Sequence, residues 1–352
     1  MAATVFINRN EGRLRAGWRL ILQAVIFLAG SVMITVILSG VVRLVYVATG
    51  INPADPQVVQ EITNPLVRVI SAIGPLVAML LSCWIAARRI DHRPFKAFGF
   101  HFSRRWWADF VFGLCLGAVI MLFIFEVERA AGWITVTGAF NSLRWMPGFW
   151  SGLISSLVAF VCVGIYEELF SRGYQLRNLA EGLNLKQLNP RKALLLAYLI
   201  SSSVFGMLHL FNPNASLVST LSLIFAGLFL GLGYLLTGNL AISIGLHITW
   251  NFFEGNVFGF QVSGVPAGAS FITIQQGGPI LWTGGAFGPE AGLVSLVGIA
   301  LGCLVILAWV RWRYGTIQTK YSLAIYQPEI QTAVMFGKLK TGSGEVEPRE
   351  IS

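Results

Sequence analysis

Charged side chains are scarce in this sequence: 12% of its 352 residues are charged, whereas 55% are hydrophobic. A soluble domain of this length could not bury that much apolar surface in one core. Cysteine is scarce too, and the four cysteines lie singly in apolar runs with no CxxC or Cys/His spacing. This pattern argues against a disulfide framework and indicates small membrane-embedded side chains. The lipid bilayer is therefore expected to be the main solvent of the chain.

Several hydrolase signatures are also missing. The sequence has no HExxH and no GxGD, and its Gly268-Ala269-Ser270 lacks the following glycine of a serine nucleophile motif. The net charge of +9 comes without a nucleic-acid-binding pattern, so no nucleic acid partner is expected.

Eight apolar runs are each long enough to cross a bilayer, which takes roughly 17 to 25 residues. Only helices or closed barrels satisfy backbone polar groups in lipid, and these runs lack the alternation of barrel strands. We therefore predict an all-α fold: a polytopic integral membrane bundle with a transmembrane helix for each run. The predicted spans are Trp18 to Val42, Pro65 to Ala87, Trp106 to Phe125, Phe149 to Tyr166, Ala193 to Phe211, Leu217 to Leu236, Leu240 to Phe258 and Ala291 to Trp309.

The distribution of lysine and arginine predicts the orientation of the spans. Basic residues concentrate in the N-terminal arm, in the second-to-third and fourth-to-fifth connections, and after the eighth span. The segment from Glu254 to Glu290 has none. Short loops rich in Lys and Arg tend to stay cytoplasmic, so both termini are expected in the cytoplasm. The basic side chains would then rest against anionic lipid headgroups.

One folded unit accounts for nearly the whole chain. We predict a transmembrane bundle at residues 1–313 and a cytoplasmic C-terminal tail at residues 314–352. The Gly-rich external connection, Gly255 to Gly292, is expected to be an irregular linker, and the alternative is a flap at the membrane interface.

Ionisable residues inside apolar spans cost roughly 2.5 to 3.5 kcal/mol each on insertion scales, so their presence needs a reason. Glu167, Glu168 and Arg172 close the fourth span. Glu168 and Arg172 are four residues apart and meet on one helical face, whereas Glu167 points about 100° away. Arg172 is thus expected to neutralise Glu168 and to leave Glu167 available as a base, although local bending could exchange the two acids. The alternative is an ion-pair knot that only holds helices together.

Two further clusters carry imidazoles. His209 lies one turn after Phe205 in the fifth span, and His247 shares a face with Asn251 in the seventh. Each pair alone is typical of interhelical hydrogen bonding. Together with a buried glutamate they suit amide hydrolysis, since Glu and imidazole can activate water and Asn and a second imidazole can stabilise an oxyanion.

Zinc catalysis is a second possibility for the same residues. Glu167, His209 and His247 would then supply three ligands to a catalytic Zn²⁺, with water in the fourth position. The sequence does not choose between a metal-dependent and a glutamate-dependent route.

The depth of these residues sets a condition on the fourth helix. If the spans are taken literally, Glu167 and His209 lie at opposite ends of neighbouring helices and cannot meet. We therefore predict that the fourth helix extends to about Leu179, which places Glu167 near the midplane.

At these residues the sequence resembles the CAAX-protease and bacteriocin-processing family, also called the Abi family, of intramembrane peptidases. The family pattern is EExxxR, FxxxH and HxxxN or HxxxD on successive membrane segments. All three motifs are present in order, and the resemblance covers about residues 106–292. The matching residues are Glu167, Glu168 and Arg172, then Phe205 and His209, then His247 and Asn251.

The resemblance implies an intramembrane endopeptidase of a bacterial inner membrane that cleaves membrane-associated or amphipathic peptides. By similarity, Glu167 and His209 would activate water and His247 and Asn251 would stabilise the oxyanion, while Glu168, Arg172 and Phe205 would support the site. A prenylated substrate is not assumed. The competing functions are a proton- or ion-coupled transporter and a non-catalytic immunity or scaffold protein.

Overall fold

The computed structural model describes residues 3–9, 11–49, 56–142 and 148–327. Each of the eight predicted spans coincides largely with one helix. The helices are α1 (Ala16–Thr49), α2 (Pro56–Ile85), α3 (Arg104–Ala130), α4 (Phe149–Leu183), α5 (Pro190–Met207), α6 (Leu217–Thr237), α7 (Ala241–Phe252) and α8 (Leu293–Tyr314).

Six of these helices, α1 to α4, α6 and α8, are long and apolar enough to cross a membrane. The other two are shorter, with 18 residues in α5 and 12 in α7. Twelve residues rise about 18 Å, less than the roughly 30 Å of a hydrocarbon core. A π-helical turn, Phe253–Val257, continues α7. The chain is a polytopic helical membrane protein, and the predicted fold class is confirmed.

Local sequence explains where the helices begin and end. Ser103 caps α3, where its side chain accepts a hydrogen bond from the backbone N–H of Trp106. Asn189 caps α5, and Ser216 forms a capping box with Ser219 at the start of α6. These side chains satisfy backbone N–H groups that have no partner within the helix. Gly238 ends α6 at φ 73°, a conformation that favours glycine.

The fourth helix is longer than its apolar run. It continues from Phe149 through a π-helical turn at Leu169–Leu176 and ends at Leu183. The predicted extension to about Leu179 is therefore confirmed, and the helix continues to Leu183. The wide turn follows directly after Glu167 and Glu168, and single π-helical turns of this kind occur frequently at functional sites.

Glycines allow α7 to pack directly against α3. A Cβ atom at Gly113 would clash with the carbonyl oxygen of Ile242, and one at Gly245 would clash with that of Phe110. Small residues at such interfaces let helix backbones approach closely in membranes. The contact places the face of α7 that carries His247 and Asn251 toward α4.

The connection between α7 and α8 is ordered, so the prediction of an irregular linker is wrong. It contains β2 (Gln261–Val262) and β3 (Val265–Pro266), which form a hairpin, and β4 (Ala269–Gln276). The β4 strand pairs antiparallel with β1 (Ile134–Ser142), which follows α3. We call the segment 258–292 the cap. Its short helical turns are Ile280–Thr283, Gly285–Phe287 and Pro289–Ala291.

Three arginines that were expected to face lipid headgroups are buried instead. Arg13, Arg19 and Arg93 surround Glu181 near the end of α4, with N–O distances of 2.7, 3.1 and 2.6 Å. Arg19 also pairs with Asp91 at 2.9 Å. Their charges are therefore satisfied inside the protein, and they connect the N-terminal arm, α1 and the segment between α2 and α3 to α4.

The remaining short elements lie before α1, between α2 and α3, and after α8. They are the helix Ala3–Phe6, the hairpin of Ile7–Asn8 with Arg13–Leu14, the π-turn Ala86–Ile90, and the 3-10 turns Phe95–Phe98 and Tyr321–Ala324. The first part of the predicted tail packs on the bundle, because Lys320 donates its N–H to the Leu235 carbonyl at 2.9 Å. Residues 328–352 of that tail lie outside the described residues.

Candidate active site

A cavity of about 330 Å³ lies between α4, the end of α5, α6, α7 and the cap. It brings together Glu167, His209, His247 and Asn251, the four residues assigned catalytic roles from the sequence. Phe205 also lines it. The other lining residues are Phe160, Val163, Tyr166, Asn212, Leu223, Ala226, Phe229, Leu230, Trp250, Val262, Ser263, Val265 and Glu290.

Glu168 and Arg172 form a buried ion pair behind this cavity. Arg172 Nη1 lies 2.8 Å from Glu168 Oε1, and Arg172 Nη2 donates to the Gly227 carbonyl on α6 at 2.7 Å. The guanidinium carbon lies 4.7 Å from the centre of the Phe205 ring. Arg172 thus joins α4 to α5 and α6, while its own charge is balanced by Glu168.

Glu167 has a different environment from Glu168. Its side chain is 23% exposed, whereas that of Glu168 is fully buried. The Tyr166 hydroxyl donates to Glu167 Oε1 at 3.3 Å. The one-residue rotation along α4 therefore sends one carboxyl group into the bundle and the other into the cavity, where it can contact water.

His247 bridges the two carboxylates. Its Nδ1 lies 2.9 Å from Glu168 Oε1, and its Nε2 lies 3.9 Å from Glu167 Oε2. An ionised carboxylate only accepts hydrogen bonds, so Nδ1 carries the proton in the contact with Glu168. This hydrogen bond sets the orientation of the ring and directs Nε2 into the cavity.

His209 lies just beyond the end of α5, in the turn that follows Met207. Its Nδ1 lies 2.8 Å from the Phe205 carbonyl oxygen, and the two rings are 5.0 Å apart. Because a carbonyl accepts, Nδ1 is the donor and Nε2 of the neutral ring is free to accept a proton or a hydrogen bond. Asn251 is buried one turn after His247 on α7.

The cap adds residues that the motifs did not indicate. Ser263 and Glu290 line the cavity and follow all three motifs in the sequence. Ser263 Oγ donates to Glu290 Oε1. Burial raises the pKa of the Glu290 carboxyl, an effect that the hydrogen bond from Ser263 and the nearby His209 oppose. The sequence signal was weak, because Glu290 is an isolated acid just before the last span.

A three-ligand metal site is not formed by these side chains as they stand. Among residues 3–9, 11–49, 56–142 and 148–327, no three His, Cys, Asp or Glu side chains are grouped closely enough to hold a metal ion. Nδ1 of His247 is directed to Glu168 and Nδ1 of His209 to a carbonyl. A zinc ion held by Glu167, His209 and His247 would require these side chains to move closer together.

The fold and the cavity define a helical membrane protein with a buried Glu, His and Asn site. Residues 149–253 match a family model described as type II CAAX prenyl endopeptidase Rce1-like. The matched segment contains all three motifs, so the resemblance inferred from them is confirmed over this range. Comparison with curated proteins and with solved structures gave no match. The motif residues that line the cavity therefore lie in a segment similar to type II CAAX prenyl endopeptidases.

Proposed function

We propose that the protein is an intramembrane endopeptidase that cleaves membrane-associated or amphipathic peptides with water activated by Glu167 and His209. One observation carries the proposal: four polar side chains from three separate motifs line one cavity. An extended peptide segment that enters the cavity would pass Glu167 on α4 and His209 beyond α5.

Glu167 and His209 act on the water. The Glu167 carboxylate accepts a proton from the attacking water, and Nε2 of His209 accepts a hydrogen bond that orients it. His209 is suited to this because its Nδ1 proton is held by the Phe205 carbonyl. General-base groups of this kind contribute about 10²- to 10⁴-fold to the rate.

His247 and Asn251 stabilise the oxyanion of the tetrahedral intermediate. The Asn251 side-chain N–H donates to the oxyanion, and Nε2–H of His247 donates when the ring carries both protons. Glu168 supports that state because it accepts a hydrogen bond from Nδ1–H of His247 at 2.9 Å. Arg172 balances the charge of the Glu168 carboxylate and holds it in place.

Peptide cleavage by purified protein tests this function. Wild type in detergent would be given a quenched peptide library and compared with Glu167→Gln and His209→Ala. We expect a loss of about 10²- to 10⁴-fold for each variant. Glu126→Gln and His101→Ala, at exposed sites outside the cavity, are matched controls that should keep wild-type rates. Cleavage that survives both cavity substitutions would refute the proposal.

Two further measurements separate the alternatives. Proton-driven flux in liposomes that depends on Glu167, with no peptide cleavage, would favour a transporter. Metal analysis of the purified protein addresses the route: a stoichiometric metal that is lost in His209→Ala would support zinc chemistry, and full activity after chelation would support the glutamate-dependent route.

The proposed location is a bacterial inner membrane with both termini cytoplasmic, which cysteine labelling from each side would check.

A further inference from the structure

Glu290 is a second carboxyl group on the wall of the active-site cavity. It lies in the short turn Pro289–Ala291 at the end of the cap, directly before α8. The residue is 4% exposed, and it lines the cavity. Glu290 lies outside all three motifs and outside the matched segment 149–253.

The cap holds this carboxyl group in one orientation. The Ser263 hydroxyl donates to Glu290 Oε1, and the backbone N–H of Ser263 also points at the carboxyl group. Ser263 has φ 48° in the two-residue turn of the β2–β3 hairpin, a left-handed conformation that the neighbouring contacts must hold. With Oε1 engaged as an acceptor, Oε2 is the oxygen that can carry a proton.

The same turn is anchored to the segment that carries His209. The Asn212 side chain donates to the Ser263 carbonyl at 3.2 Å, and Gly264 is packed so closely against Pro213 that a Cβ atom there would clash. Gly264 N–H also donates to the Phe287 carbonyl at 2.6 Å. The position of Glu290 relative to His209 is therefore set by the protein rather than left to a mobile loop.

The groups facing Glu290 are few and can be named. His209 and His247 face it across the cavity, and Glu254 lies beside it on the π-turn after α7, with Glu128 of α3 next to Glu254. Among the residues that the structure describes, no Lys or Arg lines the cavity. Burial raises the pKa of Glu290, while Glu167 is the more exposed of the two cavity carboxyls. Two acids in unlike environments are the usual arrangement of a general acid and a general base.

We propose that Glu290 is a further catalytic residue, the general acid that protonates the leaving amine when the peptide bond breaks. The proposal rests on the peptidase function proposed above. Water oxygen bonds to the carbonyl carbon while Glu167 takes one water proton. The C–N bond then breaks, and the nitrogen takes the proton from Oε2 of Glu290. Glu167 returns its proton through cavity water to Glu290, so the net change is one water consumed.

A leaving group that needs no proton tests this role. The probes are a peptide that the wild type cleaves and a 4-nitrophenyl ester with the same acyl part. Glu290→Gln should lower peptide cleavage by about 10²- to 10⁴-fold and leave ester cleavage close to wild type. Glu167→Gln should lower both. Glu128→Gln, a buried acid that does not line the cavity, is the matched control and should change neither.

Each outcome decides something. Equal losses on both probes in Glu290→Gln, or no loss on either, would overturn the proposal for Glu290 while leaving the function intact. Activity of Glu167→Gln on both probes would instead refute the proposed function. If Glu290→Gln does not fold, Glu290→Asp keeps the acid and shortens its reach, and should show a smaller loss that is again confined to the peptide. The alkaline limb of the pH–rate profile for the peptide should also change in the Glu290 variants. The profile for the ester should lack this limb.

Discussion

Nδ1 of His247 and Oε1 of Glu168 are 2.9 Å apart, and the same carboxylate oxygen accepts from Arg172 at 2.8 Å. One buried oxygen therefore connects the EExxxR motif of α4 with the HxxxN motif of α7. Of the two adjacent glutamates, Glu168 has the structural role, and Glu167 lies in the cavity. The motif needs two adjacent acids because each serves a different side of the helix.

Removing Glu168 should cost far more stability than removing an exposed partner. In Glu168→Gln the Arg172 charge stays buried without a counter-charge, which typically costs about 3–5 kcal/mol. The matched control is Glu126→Gln, whose partner Arg129 is 56% exposed, and there we expect less than about 1 kcal/mol. Unfolding in detergent measures both, and equal losses would contradict a structural role for Glu168.

Residue spacing was enough to predict the part of the site that lies within single helices. The rule that residues four apart share a face predicted the pairing of Glu168 with Arg172 and the separate direction of Glu167. It also predicted that Phe205 and His209 lie together. A longer α4 was predicted because Glu167 must reach an imidazole, and two groups on antiparallel helices meet only at a common depth.

Contacts between distant segments could not be read in the same way. The bond between His247 and Glu168 joins two motifs on different helices, and spacing within a motif says nothing about rotation between helices. The β1–β4 pairing was missed because each strand gains its hydrogen bonds only from the other. Arg13 and Arg93 were interpreted as loop charges because Glu181, their partner, lies far along the chain.

Loss of the Asn251 amide should affect turnover more than folding. Asn251→Ala removes an oxyanion donor, and comparable changes lower kcat by about 10²- to 10³-fold. The KM and the unfolding temperature should change little, because the side chain acts on the transition state. Asn214→Ala is the control, since its amide donates to the Ala286 carbonyl at 3.3 Å outside the active-site cavity. A loss confined to KM would count against the oxyanion role.

The stability of the folded protein should depend on pH through Glu290. Its pKa is raised above the ordinary 4.5 because the group is buried. The folded state then binds more protons than the unfolded chain above that value, so the free energy of unfolding falls as pH rises through the folded pKa. Glu290→Gln, which cannot ionise, should show a flatter unfolding temperature over this range. Parallel curves for wild type and variant would exclude Glu290 as a cause, and Glu126→Gln should keep the wild-type slope.

Close packing of α3 and α7 should be necessary for the contact between His247 and Glu168. Gly245 lies two residues before His247. Gly245→Ala places a methyl group against the Phe110 carbonyl of α3, and overpacking of this kind costs about 1–3 kcal/mol. Any shift of α7 away from α3 also moves Nδ1 of His247 relative to Glu168, so we expect a lower kcat as well as a lower unfolding temperature. Gly40→Ala in α1 is the matched control, because nothing lies within 4 Å of an added Cβ atom there. It should be neutral or slightly stabilising, since alanine favours helix more than glycine. Wild-type activity and stability in Gly245→Ala would show that α7 is held by other contacts.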